Sequence, residues 1–332
     1  MSTTTLLTVS PSPHVHEELT TPQIMRGVIY AMLPAMLVAL YTFGWDALRL
    51  TLIAVLSCLL FEQLISGSLL GRKMTITDGS GVITGMLLDF NLPSNLPWYM
   101  IVIGSAVAIG IGKMSFGGLG NNPFNPALVG RVFLLTSFPV AMTNWPIPLM
   151  TAAVDGTSGA TALGILKDGL RQGQTVPALM EDMPSYANML LGYHGGSIGE
   201  MSALAMVLGL VYMLYRRIVT WHVPVSMLVS IFVFTGIFWL IDPNQYANPV
   251  FHLVTGGVML GAVFMATDYV TSPFTHRGML IFGVGIGLIT VLIRLFGNYP
   301  EGVSFAILIM NAFVPLINKY TRPRLFGKTA TS

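Results

Sequence analysis

The chain has 332 residues, of which 53% are hydrophobic and only 9% charged, whereas an ordinary soluble domain carries roughly 25% charged residues. A soluble fold could not hide that much apolar surface, so the composition points to integration in a bilayer. A net charge of +2 with no basic run interleaved with aromatics excludes nucleic acid as a partner. The single cysteine, Cys58, excludes a disulfide framework or a cysteine-ligated iron–sulfur cluster built from this chain alone.

In chain order, residues 1–22 form a Ser/Thr/Pro-rich leader with His14 and Glu17. It lacks the basic start and small-residue cleavage site of a signal peptide and reads as a cytoplasmic tail. Five apolar segments follow, near Ile24–Phe43, Ala47–Ser66, Gly79–Phe90, Trp98–Gly112 and Pro126–Val140. A polar stretch from 141 to 196 interrupts them, and five more come after it, near Ile198–Tyr215, Val223–Ile241, Val250–Thr267, Met279–Phe296 and Val303–Asn318. Gly79–Phe90 and Pro126–Val140 are too short for a straight crossing of about 20 residues, so broken helices are expected.

The expected architecture is therefore an all-α polytopic membrane protein of about ten transmembrane segments. A first repeat at 23–140 and a second at 197–318 flank an external loop at 141–196, and a basic tail closes the chain at 319–332. With the N-terminus inside, 12 of the 16 Lys and Arg residues fall on the cytoplasmic side and both termini are cytoplasmic, in keeping with the positive-inside rule. Five segments per half, entering from opposite sides, imply an inverted repeat. Asp89-Phe90 before Pro93 in one half and Asp268-Tyr269 before Pro273 in the other give weak internal support. Such repeats cradle a site near the midplane, with half-helix ends aimed at ligands.

Polar residues within apolar segments are the candidates for an ion or ligand path. Glu62 sits in the second segment near its cytoplasmic end, where it can snorkel or take a partner such as Arg72; Asp89 and Asp268 are the two repeat-related carboxylates. Asn121, Asn122 and Asn125, with Pro123 and Pro126, make a polar irregular stretch that is tolerated at membrane depth only when buried in protein or lining a cavity. Asn125 also fits a helix cap with Pro126 opening the fifth segment. The six histidines are scattered without metal-site spacing, and the 21 methionines read as membrane core.

The loop contains Asp155-Gly156-Thr157-Ser158-Gly159-Ala160-Thr161. By composition this is a small-residue turn, or a helix start capped by Thr157 or Ser158. It also resembles the flavinylation motif of the RnfD family of membrane electron-transport proteins and of the related sodium-pumping quinone reductase subunit. The likeness extends over almost the whole chain, through Asp78-Gly79-Ser80-Gly81 and its Leu87-Leu88-Asp89-Phe90-Asn91-Leu92-Pro93 continuation, and through Gly120-Asn121-Asn122-Pro123-Phe124-Asn125-Pro126. The short leader favours the Rnf side of that family, because the quinone reductase subunit has a longer N-terminal extension.

The resemblance implies FMN phosphoester-linked to Thr161 by a flavin transferase that reads Asp155 and Ser158, and a noncovalent riboflavin whose site no residue identifies. It implies an inner-membrane complex moving electrons between ferredoxin and NAD while coupling to sodium or proton movement, with the A, B, C, E and G components of the Rnf complex as partners. It also implies a fold like that of urea channels. The rival class is a channel or secondary transporter of the same fold without a redox role, and the presence of flavin at Thr161 separates the two. The glycines of 79–85 and 256–261 fit a flat ring or close helix packing equally well.

Overall fold

A computed structural model describes residues 20–69, 71, 76–146, 158–181, 183–192 and 195–323. Most of the leader, Arg72, Asp155 and the end of the basic tail lie outside the described residues.

Helix α1 (Thr21–Phe43) starts at a capping box, in which the Thr20 side chain and Gln23 satisfy each other's backbone donors, with proline in the first turn. It ends at Gly44, whose φ of 61° lets the chain reverse at once into α2 (Trp45–Gln63). A π-helical turn, Leu64–Leu69, extends α2. Next come α3 (Ser80–Asp89), α4 (Trp98–Val107), prolonged by a π-turn over Ala108–Lys113, and α5 (Pro126–Ser137). The second group is α10 (Ala203–Tyr215), α11 (His222–Ile241), α12 (Pro249–Val254), α13 (Val258–Leu260) with a π-turn to Met265, α14 (His276–Phe296) and α15 (Val303–Thr321).

Six of these are long and apolar enough to cross a membrane: Thr21–Phe43, Trp45–Gly67, Trp98–Phe116, His222–Ile241, His276–Phe296 and Val303–Thr321. Three further apolar helices, α3, α5 and α10, are shorter. The eighth expected segment is not one helix, because Thr255–Gly257 breaks it between α12 and α13, with Gly256 at a φ of 66°.

Side-chain size is sorted as a bilayer demands. On α2, Leu52, Leu56, Leu60 and Leu64 form an exposed stripe at four-residue spacing, while Ala47, Leu50, Ala54 and Cys58 are buried. Within the two glycine-rich runs, close packing accounts for Gly85, against Val55, and Gly261, against Val303, while Gly256 and Gly257 face Glu301 and Glu200. A Cβ at Gly85 would lie 2.7 Å from the Val55 Cα, and one at Gly283 would meet Ser226, the Val223 carbonyl at 2.9 Å and the Met227 amide at 3.0 Å. Close approach of α3 to α2 and of α14 to α11 therefore requires glycine.

Packing partners recur with a five-segment offset: α2 with α4 and α11 with α14, α4 with α5 and α14 with α15, while the two first segments, α1 and α10, pair with each other. The connecting region at 141–196 carries helices among its described residues. It holds α7 (Ala162–Arg171), α8 (Val176–Glu181) and α9 (Tyr186–Leu191), following the short α6 (Pro139–Met142). Leu163, Leu166, Val176, Leu179 and Met189 pack onto Ala247 and Phe251, which anchors the region to α12. Two residues on each side, β1 (Trp145–Pro146) and β2 (Ser158–Gly159), pair antiparallel, a small departure from the all-α expectation.

Candidate functional site

Three polar constellations stand out inside this apolar body. In the first, the Lys113 ammonium donates to Glu62 at 2.7 Å and to the Ser80 hydroxyl at 2.7 Å, and Ser80 donates onward to Asp78 at 2.6 Å. The Lys113 and Glu62 side chains are 2% and 1% exposed. Lys113, at the end of the π-turn that prolongs α4, is thus a partner of Glu62 among the described residues.

The second joins the two halves. Arg131 on α5 donates to Asn91 at 2.8 Å, to Ser304 at 2.6 Å and to Glu301, and lies 3.9 Å from Glu200. Glu301 also accepts from the Gly257 amide at 3.2 Å. Nearby, Arg294 donates to the carbonyls of His252 at 2.6 Å and Thr255 at 3.0 Å, satisfying the backbone opened by the break between α12 and α13. The sequence pattern places Lys113 and Arg131 on the cytoplasmic side and Arg294 outside. All three are buried, so they leave the count of loop charges.

The third is built on α7. Thr161, rather than Thr157 or Ser158, is its N-cap: the hydroxyl accepts from the Gly164 amide at 3.1 Å, and the residue is 7% exposed. Thr161 lines a cavity of about 310 Å³ together with Lys167 and Arg171 of α7, Arg131 and Glu301 of the central network, and the aromatics Trp145, Tyr299 and Phe305. Lys167 donates to the Tyr299 carbonyl at 2.8 Å. Partial burial and the neighbouring Arg171 hold its ammonium below the usual lysine range. The rings of Tyr299 and Phe305 stack 5.4 Å apart. An N-cap hydroxyl, a helix N-terminus and basic side chains around one cavity favour an anion there.

The other candidates are placed as follows. Asp89 is fully buried at the end of α3 and accepts from Thr51 at 2.5 Å. Asp268 accepts from Thr271 at 3.0 Å and the Val270 amide at 3.4 Å, a local turn. Asn125 caps α5 through the Leu128 amide at 3.3 Å and reaches the Met265 carbonyl at 3.4 Å. Asn121 is exposed, whereas Asn122 and Asn125 are buried, so only part of that stretch is interior. Asn122, Asn125, Asp268, Ser80 and Lys113 share a cavity of about 80 Å³, which does not include Asp89, Glu62 or Thr161. Ser158 pairs through its backbone in β2. Lys113, Arg131, Glu200, Arg294 and Glu301 were missed as site residues. The available signal was a charge within or beside an apolar run, the same signal that singled out Glu62.

These features define a polytopic membrane protein whose interior is held by matched charges and whose connecting region presents a capped threonine at a basic, aromatic cavity. The chain belongs to the NQR2, RnfD, RnfE family, whose model matches residues 8–327. It is 47% identical to the D component of the Na(+)-translocating ferredoxin:NAD(+) oxidoreductase complex of Acetobacterium woodii, over 97% of this chain and 96% of that protein. It is 43% identical to the D component of the proton-translocating ferredoxin:NAD(+) oxidoreductase complex of Clostridium ljungdahlii, again over 97% and 96%. It is 42% identical to the D component of the ion-translocating oxidoreductase complex of Stutzerimonas stutzeri, over 93% of this chain and 92% of that one.

Proposed function

We propose that this chain is the flavin-carrying subunit of an Rnf-type ion-translocating ferredoxin:NAD oxidoreductase complex, with FMN held through a phosphoester on Thr161. The observation that carries the reading is the setting of Thr161: its hydroxyl caps a ten-residue helix at a cavity that also presents Lys167, Arg171 and stacked aromatics. Those residues fit the group. A phosphodiester at Thr161 would sit at the helix N-terminus, where backbone amides and the two basic side chains favour its charge. Trp145, Tyr299 and Phe305 offer apolar faces to a ring system. At about 310 Å³ the cavity falls in the range of ligand pockets, roughly 300–1,000 Å³. When bound, FMN supplies one- and two-electron transfer, while the protein supplies position and electrostatics.

Thr161 is 7% exposed, so attachment by a transferase belongs to a stage before the connecting region closes over it. The resemblance carries the rest of the assignment: partners among the A, B, C, E and G components of the complex, sodium or proton coupling, a bacterial inner-membrane location, and an external Thr161. The offset pairing of helices and the basic bias of the loops support ten crossings in two inverted halves with both termini cytoplasmic. A second, noncovalent riboflavin is given no site. The buried amide of Asn122 has an unpartnered oxygen, but the cavity beside it, about 80 Å³, is below the size of a ligand pocket.

The test compares wild type with Thr161→Val, each expressed with a flavin transferase, by in-gel fluorescence after denaturation and by intact mass. Valine keeps the shape and removes the hydroxyl. An FMN-sized addition in wild type alone supports the assignment. An unmodified wild type, beside a positive control for the transferase, overturns it and leaves a channel or transporter of the same fold.

A further inference from the structure

A second cavity of about 340 Å³ lies between α7, the end of α14 and residues 245–252, sharing Lys167 and Arg171 with the cavity at Thr161. Its chemistry is sharply divided. Leu163, Leu166, Leu170, Leu295 and Phe296 supply apolar wall, while Lys167, Arg171, Arg294 and His252 supply donors, and no described residue lining it is acidic. His252 is 2% exposed, and among the described residues neither of its ring nitrogens has a hydrogen-bond partner; the Nε of Arg294, 6% exposed, also lacks one. Buried polar groups left without partners mark a place where a ligand or water belongs. Phe296, on the cavity wall, is 61% exposed at the end of a helix long and apolar enough to cross a membrane.

We propose that this cavity binds the phosphate of an anionic phospholipid, whose headgroup meets His252, Arg294, Lys167 and Arg171 and whose chains follow the leucine wall and Phe296. The donors line one cavity, and a phosphate can accept from several N–H groups at once. A free phosphate would match the donors but leave the apolar wall unused. Amphipathic α7, with leucines toward the protein and basic residues at this edge, then serves as a clamp on the lipid. Lys167 and Arg171 border the proposed flavin cavity as well, so His252, which lines this cavity alone, and Thr161, which lines only the other, separate the two readings.

The experiment is native mass spectrometry of the full chain released from nanodiscs containing equal phosphatidylglycerol and phosphatidylcholine, for wild type, His252→Leu, Arg171→Gln and Thr161→Val. Retention of phosphatidylglycerol by wild type and Thr161→Val is expected, with roughly tenfold to a hundredfold weaker retention in His252→Leu and Arg171→Gln, the loss of a charge-assisted contact. Far-ultraviolet circular dichroism and thermal unfolding confirm that each variant is folded. His252→Gln, which restores a donor, recovers part of the retention. Three outcomes each overturn the proposal: equal retention of the two lipids, displacement by millimolar inorganic phosphate, and loss of lipid on flavin loading of wild type. The second would assign the cavity to free phosphate and the third to the flavin.

Discussion

Lys113 and Glu62 make the buried pair whose energetics can be worked most directly. At 2.7 Å, two unit charges attract by about 6 kcal/mol at an effective permittivity of ~20, and desolvation offsets much of that. Removing one partner leaves the other charge in an interior where each side chain is at most 2% exposed. Lys113→Met should therefore cost about 3–5 kcal/mol, and Glu62→Leu a similar amount. The double variant replaces the pair by apolar groups of comparable volume and should recover most of the loss, ending within about 1 kcal/mol of wild type. The assay is reversible unfolding of the purified chain in mixed micelles by titration with sodium dodecyl sulfate, read by circular dichroism. A double variant whose loss equals the sum of the two single losses would refute the pair as a coupled unit. The same geometry bears on Glu62 as an ion-path residue: its charge is met by Lys113, so a transported cation would have to displace an ammonium already in place.

Three further outcomes are expected. Gly283→Ala should push α14 from α11 and cost about 1–3 kcal/mol in the same unfolding assay, whereas Gly236→Ala, whose added Cβ finds its nearest atom at 3.4 Å, should be tolerated. Thr161→Ala should weaken the start of α7 by about 0.5–2 kcal/mol and raise hydrogen exchange at the Gly164 amide, while Thr161→Ser keeps the cap. Lys167 is a cation whose folded value lies below the ordinary 10.5, so the unfolded segment binds more protons between the two values. The docking of α7 should therefore strengthen as pH rises through that window, seen as slower limited proteolysis at Arg171, and Lys167→Met should abolish the dependence.

The positions of the long helices were legible because a crossing helix needs a continuous apolar run, and the runs at Thr21–Phe43, His222–Ile241 and His276–Phe296 are unambiguous. That α3 and α5 are too short for a straight crossing was readable from the length of their apolar runs, although each is a continuous helix rather than a broken one. The interior of the 141–196 region was not legible. Its three short helices are stabilised by contact with Ala247 and Phe251, which lie far along the chain, and polarity alone resembles a loop. Nor could the charge pairs be read in advance, since Arg131 and Glu301 are 170 residues apart and Lys113 and Glu62 are 51 apart. Local pattern shows that a buried charge needs a partner and not which partner it takes. For the same reason Asn121 and Asn125, four residues apart, could not be told apart by sequence, although one is exposed and the other is buried.

Arg131 and Asn91 belong to the first group of helices, whereas Ser304, Glu200 and Glu301 belong to the second. The two halves are thus joined by a polar rivet embedded in apolar surroundings, in addition to the pairing of α1 with α10 and the Asn125 bond to the Met265 carbonyl. Sliding one half past the other would tear several bonds at once and strand at least two charges. The joint is therefore a lock against sliding rather than a track for it.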